Sequence, residues 1–214
     1  YKVILAVNAI LEYVDLRQAI FDPGAYEAVK GECLALRAMC HLDILRLFGP
    51  VPAEATSVPI LPYVETVTKE LHRHVNFDGY KARLIADLEN AEGLLKQHLE
   101  KQSEIEEDYF KYRTIRMNYY AVKALKARVY LWADNKAEAY REAKAVTAVQ
   151  EQWFPWTERR EIMDNTRNPD RIFSSELLFA AYYNAREEIF TNYFSPTLEP
   201  AQVYSPKKHI DDLF

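Results

Sequence analysis

Two tryptophans three residues apart, Trp153 and Trp156 in the run Trp153-Phe154-Pro155-Trp156, are the side chains of this sequence best suited to holding a ligand. They fall off any helical stripe, in a stretch that Pro155 keeps irregular. Tyr182, Tyr183, Tyr193 and Phe194 follow in a second weakly regular region. Flat rings with a polar handle match the apolar C–H faces and hydroxyl rims of sugars. Trp153, Trp156, Tyr182, Tyr183 and Tyr193 are therefore the candidate carbohydrate contacts. Loop aromatics more often anchor their loop onto the core, and the sequence leaves both uses open.

Reactive groups are sparse by comparison. No Gly-rich phosphate loop, paired-Cys motif or Gly-x-Ser-x-Gly elbow occurs. His72 and His74 stand one residue apart, a spacing that serves a metal only on a strand or turn, and no third ligand lies nearby. Cys33 and Cys40 are seven residues apart on one helix, about 10 Å at 1.5 Å per residue, too far for a disulfide. Acidic residues are plentiful but scattered over solvated helix faces, with no pair placed for acid–base work. The expectation is a protein that binds without catalysing and uses no metal or cofactor.

Charges inside apolar helices carry structural information. Arg37 is flanked at helical spacing by Cys33, Leu34, Cys40 and Ile44, and Arg128 by Ala124, Leu125, Leu131 and Trp132. A buried guanidinium needs a partner, so both are expected to be buried in inter-helix pairs, with Glu32, Asp43 and Asp87 as candidate acceptors.

The elements that must position these residues read as helices. Val3, Ile4, Val7, Ile10, Leu11 and Val14 form one stripe of a first helix, about residues 1–20, with Asn8 among them. Leu34, Ala38, Leu42, Leu45 and Phe48, widened by Leu36 and Met39, mark a largely buried second helix from Gly31, stopped by Gly49, Pro50 and Pro52. A Pro-punctuated loop reaches about Val75. A third helix, capped by Asn76 or Asp78, runs to about Leu99. Two more, from Arg113 to Trp132 and from Asn135 to Val149, meet at the turn Asp134-Asn135. Their Ala127, Tyr130, Ala139 and Ala143 suit a tetratricopeptide-like hairpin, about 114–149. Arg116, Tyr119, Lys123 and Lys126 form its polar stripe. Residues 151–200 read as an aromatic loop region, with a short strand or two allowed near Leu177–Tyr182, and Ser205-Pro206 as the start of a last short helix. The fold class is all-α, stacked helix pairs with long irregular loops.

The motif Gly31-Glu32, Leu36-Arg37-Ala38, Asp43, Arg46-Leu47-Phe48-Gly49 and Val51-Pro52 closely resembles the signature helix of the SusD/RagB family, surface glycan-binding lipoproteins of Gram-negative nutrient uptake. The first helix with Asn8, the run Asp87, Leu88, Ala91, Leu94, Leu95, the stretch Ala127-Arg128-Val129-Tyr130-Leu131 and the segment Ser174–Asn184 are similar to further family helices, so the resemblance covers most of the chain. It implies scaffold roles for Asn8, Glu32, Arg37, Asp87 and Arg128. It also implies an oligosaccharide ligand, a SusC-like TonB-dependent outer-membrane transporter as partner, and a cell-surface location through a lipid anchor outside these residues. The chain begins at Tyr1 within a helical pattern and stops at Phe214 within a family motif, so the expectation is one helical domain over 1–214, part of a longer protein.

Composition agrees. At 214 residues the chain can bury a sizeable core. A charged fraction of 28% and the lack of any eighteen-residue apolar run exclude a membrane-spanning helix. A net charge of −5 argues against nucleic acid, which is bound through basic surfaces. The competing function is a tetratricopeptide-type scaffold holding a peptide or partner protein in a helical groove.

Overall fold

In the computed structural model, which describes residues 1–96, 113–163 and 169–195, helices dominate. They are α1 Lys2–Val14, α2 Ala25–Phe48, α3 Phe77–Lys96, α4 Tyr119–Trp132, α5 Lys136–Thr147, and the shorter α6 Gln150–Trp153, α7 Arg159–Met163 and α8 Arg186–Tyr193. A two-stranded antiparallel ladder pairs β1 Leu61–Pro62 with β2 His74–Val75. The chain divides into two compact units, Tyr1–Ala180 and Ala181–Phe214.

The first unit is a stack of antiparallel helices. α2 packs between α1 and α3, α3 packs on α4, and α4 pairs with α5. Ile4, Val7 and Val14 are the buried stripe of α1, while Val3 and Ile10 turn outward, so the apolar face turned inward is narrower than the sequence pattern suggests. Asp15–Ile20 tightens into 3₁₀ geometry before the turn at Gly24, whose φ of 86° favours glycine.

α2 begins six residues earlier than expected, because Gly31 lies inside the helix as the point where α3 comes close. A Cβ there would sit 2.7 Å from Leu95 Cγ. Leu34, Ala38, Leu42 and Leu45 are core, as their spacing predicts. Phe48, expected in that face, is exposed in the last turn before Gly49. Gly49 ends it, donating its N–H to the Leu45 carbonyl.

Asn76 caps α3 through a bond from Gly79 N to its Oδ1 (2.9 Å). Asn118 and Asn135 cap α4 and α5 in the same way. Of the residues expected at the α4–α5 seam, Tyr130 and Ala139 are buried and Ala127 is half-buried, but Ala143 is exposed. Lys126, read as part of a polar stripe, is buried. With Lys123 it forms a four-membered ion network to Glu92 of α3 and Glu142 of α5 (Lys126 to Glu92 2.6 Å, Lys123 to Glu142 2.8 Å). Three helices are thus held by paired charge as well as by apolar packing.

Arg37 is 7% exposed and grips Asp87 of α3 with two bonds, Nε to Oδ2 at 2.7 Å and a second guanidinium nitrogen to Oδ1 at 2.6 Å. Its third nitrogen donates to Asn8 Oδ1 (3.0 Å), and Asn8 Nδ2 donates to the Val64 carbonyl (2.9 Å). Tyr63 adds a bond to Asp87 Oδ2 at 2.6 Å. Three helices and the long loop therefore share one buried polar cluster, with Arg37, Asp87 and Asn8 at its centre. Glu32 instead approaches Arg116 at 3.8 Å. Arg128 corrects the expectation: it is exposed and has no ion-pair partner among the described residues, and it lines an open cleft with Met39 of α2, Leu178 and Phe179.

His41 completes the cluster, and its tautomer follows from its neighbours. The Tyr80 hydroxyl donates to the His41 carbonyl (3.0 Å), so at 2.6 Å it must accept from His41 Nδ1–H. Nε2 is then bare and accepts the Val64 N–H at 3.2 Å. Burial favours this neutral ring and pushes its pKa down to about 4. The ring stacks on Tyr63, centroids 4.0 Å apart.

Candidate functional site

The chain reaches the tryptophan pair directly out of the α4–α5 hairpin. α6 is a single turn ending at Trp153, not the loop expected there, and Phe154 N bonds back to the Gln150 carbonyl. Pro155 then prevents further helix. Phe154 is the anchor: its ring meets Tyr120 of α4 edge-on, centroids 5.6 Å apart at 83°. Gln150 Nε2 holds the Phe154 carbonyl at 2.9 Å. With the anchoring role filled by Phe154, the flanking indoles are left outward, Trp153 at 37% and Trp156 at 71% exposure.

The residue after Trp156 is tied down by polar contacts. Thr157 N donates to Glu176 Oε1 (2.9 Å), and the Thr157 and Ser175 hydroxyls lie 2.9 Å apart. Asp170 ties the same return segment down by accepting from the Ser174 N–H (2.7 Å) and hydroxyl (2.8 Å), contacts that hold its carboxyl below the usual range. The result is an exposed indole on a backbone whose next residue is held in place. An indole presented in this way can stack on a sugar face without a loop having to be ordered first.

Tyr182, Tyr183 and Tyr193 lie in the second unit and are all exposed, Tyr182 at 77%. Tyr193 closes α8 rather than lying in irregular chain. Each is a free aromatic surface of its own unit. Near Leu177–Tyr182 no strand forms: Ala180 N bonds to the Thr114 carbonyl, and Asn118 Nδ2 to the Leu178 carbonyl, as single links. The short helix expected from Ser205-Pro206 lies outside the described residues.

Other reactive groups are quiet. His74 is exposed in β2 and His72 half-buried, and among the described residues no three His, Cys, Asp or Glu side chains gather as a metal site. Cys33 and Cys40 are free thiols, and burial pushes Cys33 up to about 11. Among the described residues no helix is long and apolar enough to cross a membrane.

Compared with known proteins, residues 1–131 match a SusD-like family model, described as starch-binding and associating with the outer membrane. The chain belongs to the SusD-like family. Solved structures agree in fold. A SusD superfamily protein from Bacteroides thetaiotaomicron VPI-5482 shares 22% identity at a TM-score of 0.60, over 72% of this chain and 32% of its own. A SusD-like carbohydrate binding protein from Bacteroides vulgatus ATCC 8482 shares 20% at 0.59, over 75% and 32%. A SusD superfamily protein from the same organism shares 25% at 0.57, over 72% and 33%. The chain thus spans about a third of the length of these structures. No curated protein sequence matches it. The SusD-like match carries α1 to α4 and the Arg37 cluster, and the tryptophan loop follows it in sequence.

Proposed function

We propose that this SusD-like chain belongs to a non-enzymatic glycan-capturing protein of the outer-membrane surface, and that the Trp153–Trp156 loop is a sugar contact. The observation that carries the site is the division of labour in that loop: Phe154 packs on Tyr120 of α4, while both indoles stay outward. Family membership supports the ligand class, a starch-type α-glucan being the first probe. The same membership supports delivery of an oligosaccharide to a SusC-like TonB-dependent transporter, with lipid anchoring supplied outside these residues. Tyr182, Tyr183 and Tyr193 are a second set of candidate contacts.

Calorimetric titration with maltooligosaccharides, followed by chromatography of the recovered sugar, tests the reading. Heat that saturates, with the sugar recovered at its original length, is the expected result. Shortened sugar, or no heat with any glycan of a broad panel, would overturn it.

A further inference from the structure

The two ends of the helix stack differ. The outer side of α5 carries Lys136, Glu138, Arg141 and Lys144, the polar finish that a terminal helix needs. The outer side of α1 lacks it: Val3, Leu5, Ala6, Ala9, Ile10 and Tyr13 are all exposed, with Lys2 and Glu12 as the charges on that side. Beyond the helix, Leu16 and Ile20 are also exposed, at 78% and 73%. An exposed apolar helix face of this kind marks an interface.

The order of residues on that face says what fits it. At 100° per residue, Lys2, Ala6, Ala9 and Tyr13 form the central line, Val3 and Ile10 one flank, Leu5 and Glu12 the other. The pattern reads the same way when reversed about the point between residues 7 and 8. A second α1 running antiparallel about a two-fold axis there sets Ala6 against Ala9 of the second copy, small residues that let the backbones approach. Val3 meets Ile10 along one flank. On the other, Lys2 comes beside Glu12 of the second copy, and this ion pair occurs twice because the interface is isologous. We infer that the outer face of α1 is a self-complementary docking surface for a second copy of this chain, held by an Ala6–Ala9 seam and reciprocal Lys2–Glu12 pairs. One helix pair about 20 Å long is a small interface, so the association is weak and concentration-dependent.

Sedimentation equilibrium of the whole chain over a wide concentration range is the direct test. The mass should rise from 25.0 kDa toward twice that value. Ala9→Glu puts like charges on the seam and should hold the chain at monomer mass with unchanged helical circular dichroism. Glu12→Lys alone should weaken association, and Lys2→Glu with Glu12→Lys should restore it, which non-specific apolar clumping would not do. In an Ala6→Cys, Ala9→Cys double variant, oxidation should yield a covalent dimer. A constant 25.0 kDa, or association that ignores Ala9→Glu, would overturn the inference; the latter would point to another occupant of the face.

Discussion

At the scale of single residues, Arg37 shows what a charge inside an apolar helix is for. Its guanidinium meets Asp87, Asn8 and the loop backbone, so removing it strands a carboxylate in the core. Arg37→Ala should therefore cost about 3 to 5 kcal/mol in a denaturant titration, whereas Tyr63→Phe, which removes one bond to Asp87, should cost about 1 to 2 kcal/mol. His41 adds a pH dependence. Its folded pKa of about 4 lies below the ordinary 6.5, so the unfolded chain takes up a proton first as pH falls. Stability is then lost between about pH 6.5 and 4, by about 3 kcal/mol if unopposed. The His41 ring resonances should accordingly stay in the neutral form down to about pH 5 in a nuclear magnetic resonance titration; protonation near pH 6.5 would show the ring is not held as the geometry demands. Arg37 was legible because its helical neighbours are apolar. His41 was not, since its partners Tyr80 and Val64 are distant in sequence and its own helix offers no pattern that marks it. Arg128 misled for the opposite reason: apolar neighbours at helical spacing do not say whether another helix arrives to cover them.

At the scale of elements, close approach decides where glycine is required. Gly31 lies against Leu95 of α3, and an added Cβ would meet Leu95 Cγ at 2.7 Å and Leu94 Cβ at 3.3 Å. Gly93, also helical, has nothing within 4 Å of the same point. Gly31→Ala should destabilise by about 1 to 3 kcal/mol through overpacking, while Gly93→Ala should stabilise by about 0.5 to 1 kcal/mol through helix propensity. Thermal melts of the two variants should shift in opposite directions. The helices themselves were readable from 3.6-residue periodicity, from the capping residues Asn76 or Asp78 and from the turn at Asp134-Asn135. The start of α2 was misplaced because Gly31 looks like a boundary in sequence and is a packing point in space. The Lys123–Lys126 network was missed because lysines at such spacing usually face water. Only the arrival of Glu92 and Glu142 from other helices turns that stripe inward.

At the scale of the whole molecule, the two parts of the chain were unequally legible. Residues 1–131 carry a family pattern because packing three helices around one polar cluster restricts many positions at once. The tryptophan loop has no such pattern; its role shows only when Phe154 is seen on Tyr120 and the indoles are seen left outside. That geometry sets a scale for binding. Two exposed rings offer few contacts, and desolvating sugar hydroxyls offsets much of the stacking gain. The chain should therefore bind oligosaccharide with a dissociation constant on the order of millimolar, worth about 4 kcal/mol. Trp156, the more exposed ring, should contribute more than Trp153. Tryptophan emission separates the two, because the third indole, Trp132, packs 5.5 Å from Phe77 and reports folding instead. On saturation with glycan, emission should shift in the unmodified chain and in Trp153→Ala, and hardly at all in Trp156→Ala. An unaltered shift in Trp156→Ala would move the site to the tyrosines of the second unit, where Tyr182→Ala and Tyr193→Ala would then be the variants that lose binding.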